Sequence, residues 1–412
     1  MRSGNYRMSA AAQKWPALVG IGEDGLDGLS PVARRLITDA EFIVGGARHL
    51  KLAGSPACET LVWPSPISEA IAPILARRGK RAVVLASGDP FFYGVGSLLA
   101  AHVPIGEIIS LPAPSAFSLA ASRLGWSLQD CTLLSLHGRS FERIVPHLQP
   151  RARLLVLAWD ETTAPRIATC LEAHRMGGSR VTVLEALGGP RERVRSVRAD
   201  AFELPGIDPL NVVAIEVAAD PDARIIPLSP GLPDDYFEHD GQITRREFRA
   251  ATMAALAPRR GELLWDIGAG SGSVGIEWML SDTTNTTIAI EERPDRAARI
   301  ARNAAALGVP GLTVIHGRAP GAFAELSRPH AIFVGGGAGD DGVLEQAWAA
   351  LSLGGRFVVN AVTLETQALL TQRFKEQGGE LVQMQVAYAA PVGTFFGWRP
   401  AMPVAQWRIT KP

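Results

Sequence analysis

The sequence predicts an α/β protein of two domains. Short apolar runs that are typical of strands alternate with amphipathic segments typical of helices through nearly the whole chain, an order that favours mainly parallel sheets. The alternation is interrupted where four prolines and Gly231 fall within 221–233. Because proline disfavours both helices and central strands, we predict a linker at 223–233 between domains at 16–222 and 234–412.

The N-terminal domain is expected to consist of two α/β subdomains, at about 16–127 and 128–222. The apolar runs predict strands at Ala17–Val19, Phe42–Val44, Ala82–Ala86, Ile108–Leu111, Thr132–Leu136, Leu154–Ala158, Arg180–Leu184 and Val212–Val217. The intervening segments predict helices at Pro31–Asp39, Ser68–Arg78, Gly94–His102, Ser115–Leu124, Phe141–His147 and Ala164–His174.

The C-terminal domain restarts the same alternation after a helix at Thr244–Leu256, where Thr244 and Glu247 have the spacing of a capping box. Strands are predicted at Glu262–Asp266, Thr287–Glu291, Thr313–His316, Ala331–Val334 and Arg356–Asn360, and helices at Ser273–Leu280, Pro294–Leu307, Gly342–Ala350 and Leu364–Gln377. Two last strands, at Leu381–Ala387 and Val404–Ile409, are joined by a long loop and predict an antiparallel edge on an otherwise parallel sheet.

Composition excludes several classes of function. The formal net charge is zero, with 41 basic and 41 acidic residues, so we expect neither nucleic acid nor an anionic membrane as a partner. The segment Met1–Trp15 lacks the apolar core of a secretory signal, and no apolar run is long enough to span a bilayer. Three cysteines and eight histidines show no ligand spacing, so we expect a cytoplasmic protein without a bound metal.

A glycine-rich loop marks the candidate site of the C-terminal domain. Gly268, Gly270 and Gly272 follow a strand that contains Asp266 and precede a helix, a layout that lets backbone approach a ligand closely. Glu291 ends the next strand, where a carboxylate can accept hydrogen bonds from both hydroxyls of a ribose. Nicotinamide dinucleotides and S-adenosylmethionine are both bound by this layout.

The frame of the glycines favours S-adenosylmethionine. The dehydrogenase pattern G-x-G-x-x-G occurs only at Gly270–Gly275, two residues later than it would follow a dinucleotide-binding strand. The run from Asp266 to Gly272 instead resembles motif I of class I methyltransferases. That resemblance implies a Rossmann-like domain whose cofactor contacts are Thr244, Asp266, Gly268, Ala269, Gly270, Ser271, Gly272, Glu291, Arg318, Ala319 and Gly335.

The N-terminal domain carries glycine segments of another kind. Val19-Gly20-Ile21-Gly22, Ser87–Gly94 and Pro112–Ala116 each follow a predicted strand and precede a helix. Together with 136–139 and 185–188, their order resembles the tetrapyrrole methylase family, which binds S-adenosylmethionine in a cleft between two α/β subdomains. The resemblance implies cofactor contacts at Gly22, Gly88, Asp89, Pro90, Phe91, Gly94, Ser115 and Ala116.

The joined halves resemble the fused methyltransferase and decarboxylase family of cobalamin biosynthesis. The match includes Pro233–Phe237, Thr244–Glu247, the glycine loop, Val334–Gly336 and Val359–Glu365. It implies two S-adenosylmethionine sites, methylation of a precorrin at C5 by the N-terminal domain and at C15 by the C-terminal domain, and decarboxylation of the C12 acetate. Relatives of both halves self-associate, so a homo-oligomer is expected.

The substrate implied by this resemblance is a polycarboxylate tetrapyrrole. Arginine binds carboxylates through paired hydrogen bonds, so Arg139, Arg245 and Arg249 are candidate substrate ligands, and Gly336 is expected to leave room for the macrocycle. The residues identify no catalytic acid or base. Three alternatives stay open: a nicotinamide-dependent oxidoreductase, a non-catalytic S-adenosylmethionine-binding module, and a methyltransferase acting on RNA, protein or another small molecule.

Overall fold

The structure is a computed structural model that describes residues 14–412, so most of the predicted N-terminal tail lies outside the described residues. Its contacts form two compact units. One unit runs to Arg139 and resumes over Gln149–Arg224, and the other comprises Ser140–Leu148 and Ile225–Pro412.

The first unit begins with a parallel five-stranded sheet. Its elements are β1 (Pro16–Ile21), α1 (Pro31–Thr38), β2 (Phe42–Gly45), α2 (Ala47–Leu52), β3 (Glu59–Val62), α3 (Ile71–Leu75), β4 (Ala82–Ser87), α4 (Gly96–Ala100), β5 (Ile109–Leu111) and α5 (Ala116–Leu124). The strand order is β3-β2-β4-β1-β5, with all neighbours parallel. Because helices cover both faces, β1 is buried throughout and β4 up to its last residue, as parallel strands usually are.

A second five-stranded sheet completes this unit. Its elements are β6 (Cys131–Ser135), β7 (Arg153–Leu157), α6 (Thr163–Ala173), β8 (Arg180–Glu185), β9 (Arg193–Arg198) and β10 (Asn211–Glu216), in the order β6-β7-β10-β8-β9. The prediction of a mainly parallel sheet is wrong here, since β6 and β7 are parallel but the other three pairings are antiparallel. The physical reason is that β8, β9 and β10 are joined without a crossover helix.

The second unit is a seven-stranded sheet with helices. Its elements are α7 (Arg246–Leu256), β11 (Leu263–Ile267), α8 (Ser273–Ser281), β12 (Thr286–Glu291), α9 (Pro294–Ala306), β13 (Thr313–His316), β14 (Ala331–Val334), α10 (Val343–Ala350), β15 (Arg356–Ala361), α11 (Leu364–Gln377), β16 (Glu380–Met384), β17 (Ala387–Val392), β18 (Phe395–Pro400) and β19 (Val404–Thr410). The order β13-β12-β11-β14-β15-β19-β16 is parallel up to β15, and β19 pairs antiparallel to both its neighbours. The predicted antiparallel edge is confirmed.

Two local predictions for the second unit are wrong. The capping box does not form, because the N-cap of α7 is Arg245 without a side-chain cap and the carboxylate of Glu247 accepts a 2.6 Å hydrogen bond from the hydroxyl of Tyr388. The loop predicted before β19 contains a two-stranded hairpin of β17 and β18. Within residues 14–412, no helix is both long and apolar enough to cross a bilayer.

Candidate functional site

Three loops converge at the carboxyl end of the first sheet. Here β1, β4 and β5 are neighbours, and the backbone N–H of Ala113 donates to the carbonyl of Gly88 over 3.1 Å. A Cβ on Gly20 would lie 1.8 Å from that carbonyl oxygen and 2.6 Å from the nitrogen of Ala113. Glycine at position 20 is therefore required for the backbones to come together.

The segment after β4 is held in shape by its own polar groups. The carboxylate of Asp89 accepts a 2.8 Å hydrogen bond from the backbone of Phe91, and a Cβ on Gly94 would lie 2.4 Å from the carbonyl of Pro90. Gly88 has φ +57°, a left-handed conformation that favours glycine. Asp89 and Pro90 thus shape the loop, whereas the ring of Phe91 is 43% exposed and accessible to a ligand.

The remaining two predicted positions of this site lie beside the same loops. Ser115 is the N-cap of α5 and accepts from the backbone of Ser118, so its hydroxyl is already engaged, and Ala116 begins the helix. A Cβ on Gly22 would meet the side chain of Asp24 at 2.6 Å. The structure therefore brings Gly22, Gly88 and Ser115 to one edge of the sheet.

A polar cluster that the sequence did not predict lies at this edge of the sheet. The imidazole Nε2 of His49, the hydroxyl of Ser87 and the guanidinium of Arg48 lie within 2.8–2.9 Å of one another, and Arg48 also pairs with Glu23. Burial, and then the charge of Arg48, lower the pKa of His49 to about 4. One available signal was the position of Ser87, directly before Gly88.

Arg139 lies in an aromatic environment in the first unit. Its guanidinium is 5.4 Å from the ring centre of Tyr93, and its side chain is exposed. Tyr93 also packs against Phe92 and Phe117. A cation held over an aromatic face keeps its hydrogen-bond donors free, so Arg139 remains able to bind a carboxylate.

In the second unit the glycine loop packs against the segment after β14. Gly268 has φ +68°, and a Cβ there would lie 2.8 Å from three backbone atoms of Gly336. The backbone of Gly335 donates to the carbonyl of Ile267 over 2.9 Å. Gly268, a predicted cofactor position, is thus in contact with Gly336, a predicted substrate position on a separate loop.

The carboxylate of Glu291 is buried and bonded to the loop. It accepts from the backbone of Gly270 at 2.9 Å and from that of Arg293 at 3.1 Å, and the residue is 4% exposed. Because an ionised carboxylate has about four acceptor sites, these two bonds leave capacity for ribose hydroxyls. Glu291 therefore both fixes the loop and offers a ligand.

Asp266 lies in the core behind the loop. One of its carboxylate oxygens accepts from the backbone of Gly275 at 2.9 Å, and the other is buried without a partner. Complete burial, with a smaller contribution from Glu291, raises the pKa of Asp266 to about 7. Its contacts connect β11 to the first turn of α8, so we interpret it as a support for the glycine loop.

The loop itself has the features expected of a cofactor cradle. Among residues 14–412 the buried hydroxyl of Ser271 has no hydrogen-bond partner, and a Cβ on Gly270 would meet only the carbonyl of Gln242 at 3.7 Å. Ala269 donates its backbone N–H to the carbonyl of Ile290 at 3.2 Å. An unsatisfied donor beside open space fits a small polar ligand.

The remaining predicted cofactor positions lie after β13, at the start of α8 and before α7. Arg318 and Ala319 follow β13, and the guanidinium of Arg318 pairs with Asp340 at 2.9 Å. Gly272 has φ +77°, and a Cβ there would lie 2.7 Å from Ile300, so it serves packing against α9. The carbonyl of Thr244 accepts from Arg249.

The two arginines predicted before and on α7 differ sharply in exposure. The side chain of Arg245 is 50% exposed and makes one 3.4 Å ion pair with Asp234. The side chain of Arg249 is fully buried and bonded to Glu277 at 2.6 Å and Asp234 at 3.1 Å. The prediction that Arg249 binds substrate is therefore wrong, because its donors are used inside the protein.

Acid, histidine and cysteine side chains form no group of three or more that could hold a metal ion within residues 14–412.

Two family models match the chain: tetrapyrrole (corrin/porphyrin) methylases over residues 17–203, and the precorrin methyltransferase domain over residues 235–411.

Three curated proteins show how the similarity is distributed. The chain is 55% identical over 403 residues to a precorrin-6Y C(5,15)-methyltransferase [decarboxylating] of Sinorhizobium sp, covering 98% of each chain. It is 35% identical over 180 residues to a cobalt-precorrin-7 C(5)-methyltransferase of Salmonella typhimurium, covering 43% of this chain and 87% of the relative. It is 32% identical over 143 residues to a probable cobalt-precorrin-6B C(15)-methyltransferase (decarboxylating) of Saccharolobus solfataricus, covering 33% of this chain and 72% of the relative.

Proposed function

The chain belongs to the precorrin-6Y C5,15-methyltransferase (decarboxylating) family, and from that premise we propose that it converts precorrin-6Y to precorrin-8X. The reaction transfers two methyl groups from S-adenosylmethionine, to C5 and C15, and removes carbon dioxide from the C12 acetate. The observation that carries the proposal is that one chain has two sheet edges where glycine allows loop backbones to come into close contact, at Gly20–Gly88 and at Gly268–Gly336.

The two methyl transfers are assigned to separate domains. The N-terminal domain, at 16–222, would methylate C5, and the C-terminal domain, at 234–412, would methylate C15 and decarboxylate the acetate, with 223–233 as the linker. This division is supported by the relatives named for a single methylation site, whose matches cover 43% and 33% of this chain. The matches span 180 and 143 residues, so each is short enough to lie within a single domain.

We propose one S-adenosylmethionine site per domain. In the N-terminal domain it would be formed by Gly22, Gly88–Phe91, Gly94 and Ser115–Ala116. In the C-terminal domain it would comprise Thr244, Gly268–Gly272, Glu291, Arg318, Ala319 and Gly335, with Asp266 supporting the glycine loop from the core. The buried, unpartnered hydroxyl of Ser271 and the partly used carboxylate of Glu291 support the second site.

The chemistry asks for positioning more than for strong acids or bases. Bound S-adenosylmethionine supplies an electrophilic methyl group on a sulfonium that leaves as a neutral thioether. The protein's part is to hold the ring carbon in line with that methyl group, which alone is worth a large acceleration. Arg139 and Arg245, whose side chains are exposed, would bind substrate carboxylates, and Gly336 would leave space for the macrocycle.

We propose that the protein is a homo-oligomer, held by the hairpin of β17 and β18. These strands pair only with each other, and their rings of Phe395, Phe396 and Trp398 are 77–78% exposed. A lone two-stranded hairpin is marginally stable in water, and open strand edges pair readily with a second copy. A cytoplasmic location is proposed because no disulfide joins Cys58, Cys131 and Cys170 within residues 14–412.

The direct test of the function is the mass of the product. Purified protein is incubated with precorrin-6Y and S-adenosylmethionine bearing a heavy-isotope methyl group. We expect two labelled methyl groups gained and one carbon dioxide lost. Unchanged substrate, with folded protein that binds S-adenosylmethionine, would overturn the proposal.

A further inference from the structure

The cluster of Glu23, Arg48, His49 and Ser87 lies outside the predicted cofactor positions but at the same sheet edge. Ser87 is the last residue of β4 and is paired in register with Ile21 of β1, between Gly20 and Gly22. Its side chain is exposed, whereas the strand before it is buried. The hydroxyl of Ser87 is therefore available at the mouth of the proposed N-terminal site.

The guanidinium of Arg48 determines which atoms of the cluster donate hydrogen bonds and which accept them. A guanidinium can only donate, so Arg48, whose Nη2 lies 2.9 Å from both groups, donates to the imidazole Nε2 of His49 and to the hydroxyl oxygen of Ser87. Nε2 must then carry the lone pair, and Nδ1 carries the proton. The hydroxyl of Ser87 is left to donate to Nε2 over 2.8 Å, so it shares the single lone pair of that nitrogen with Arg48.

The surroundings keep this imidazole neutral. The charged side chain facing His49 is that of Arg48, which is paired with Glu23, and Glu23 also lies 3.3 Å from Arg191. The imidazole Nδ1 is buried without a partner. Burial and the positive charge lower the pKa of His49 to about 4, so the imidazole is neutral at neutral pH.

Methylation of a meso carbon leaves a proton to be removed. The carbon–sulfur bond breaks with its electrons going to sulfur, and the new carbon–carbon bond leaves the ring carbon with both a methyl group and a hydrogen. Loss of that hydrogen as a proton returns its electron pair to the conjugated ring. A neutral imidazole within reach of that hydrogen can act as the general base for this step.

Resting on the proposed function, we propose that His49 accepts this proton through the hydroxyl of Ser87 in the reaction of the N-terminal domain. Ser87 gives its own proton to Nε2, which then no longer accepts from Arg48, and takes the substrate proton, so its hydroxyl is regenerated. Arg48 keeps its hydrogen bond to the hydroxyl oxygen of Ser87. Arg48 holds the imidazole in the accepting tautomer, and Glu23 holds Arg48.

The first experiment compares His49→Gln with His102→Gln in the full-length protein. Glutamine keeps an acceptor for Arg48 but cannot take a proton, and His102 is exposed and outside the cluster. We expect His49→Gln to slow formation of conjugated C5-methylated product by about 10²–10⁴-fold, with affinity for S-adenosylmethionine unchanged. We also expect a methylated product that has kept this proton to accumulate. Its conjugated system is interrupted at the methylated carbon, so it should absorb at a shorter wavelength. A rate within threefold of wild type would overturn the inference, while C15 methylation separately reports the proposed function.

A second measurement does not depend on activity. Nitrogen NMR of labelled wild-type protein, without substrate, is expected to show His49 neutral at pH 6 with its proton on Nδ1. Arg48→Gln should raise the pKa of that histidine. A charged imidazole at pH 6, or a proton on Nε2, would overturn the inference.

Discussion

Gly268 and Gly336 meet backbone to backbone, so that a Cβ on Gly268 would lie 2.8 Å from the nitrogen, Cα and oxygen of Gly336. The contact follows from the sheet, because β11 and β14 are parallel neighbours and their carboxyl ends reach the same edge. It joins the glycine loop to the segment in which the substrate position is proposed. Movement of one backbone therefore displaces the other.

Substitution Gly268→Ala is expected to destabilise the second unit and abolish C15 methylation. The matched control is Gly354→Ala, since Gly354 has φ +72° but no heavy atom within 4 Å of a new Cβ. Both variants carry left-handed backbone strain of about 1 kcal/mol, and only Gly268→Ala adds a clash. We expect its free energy of unfolding to fall by about 1–3 kcal/mol more than the control's. Equal losses in chemical denaturation would contradict this.

Substitution Glu291→Gln should weaken S-adenosylmethionine binding in the C-terminal domain about tenfold or more. The amide loses the negative charge and part of the acceptor capacity offered to ribose hydroxyls, a loss of about 1.5–3 kcal/mol for a charged hydrogen bond. Calorimetric titration measures the affinity of each site. The control is Glu380→Gln, whose carboxylate is 67% exposed and pairs with Arg408. An unchanged second site would refute the proposed role of Glu291.

Asp266 should make stability depend on pH in an unusual direction for a carboxylic acid. Its pKa is raised in the folded protein to about 7, from an ordinary value of 3.8. The folded state therefore binds the proton more tightly, and this contribution to stability is present below about pH 4 and lost as the pH rises to about 7. Asp266→Asn should flatten that part of the curve relative to wild type. Melting temperatures measured across this range test it, and identical slopes would contradict it.

Replacing exposed rings of the hairpin should break the proposed oligomer. The double substitution Phe396→Ser/Trp398→Ser removes two rings that are 78% and 77% exposed. We expect a lower molar mass by light scattering and unchanged circular dichroism. Leu228→Ser serves as the control, since Leu228 is 90% exposed and lies outside the hairpin. A monomeric wild type, or an unchanged mass in the double variant, would contradict the proposal.

The sequence predicted best what hydrophobic periodicity controls. The strands Thr313–His316 and Ala331–Val334 and the helix Leu364–Gln377 have the predicted bounds. Of these, Ala331–Val334 is buried throughout, as its unbroken apolar run predicts. The strand Arg193–Arg198 was missed, since four of its six residues are exposed and three are arginines. The hairpin was not predicted for another reason: its strands are apolar, but Pro391, Gly397 and Pro400 interrupt their pattern.

The candidate sites show the same division. Glycine motifs located both sheet edges, because close backbone approach leaves a direct mark in sequence. The burial of a single arginine cannot be predicted from the sequence in this way. Arg249 was therefore predicted as a substrate ligand, although it is bonded to Glu277 in the interior. The position of Ser87 before Gly88 was visible in the sequence, but its contact with His49 was not, since these residues are 38 positions apart and are brought together by the pairing of β2 with β4.

The measurement that tests the two-site account most directly is the product mass from a Gly270→Leu variant. A side chain at Gly270 has open space in the protein, with only the carbonyl of Gln242 at 3.7 Å, so it would fill the cofactor cradle. Gly354→Leu is the control for backbone strain. With precorrin-6Y and labelled S-adenosylmethionine, we predict one labelled methyl group, at C5, and no loss of carbon dioxide. Two labelled methyl groups with loss of carbon dioxide would contradict the account.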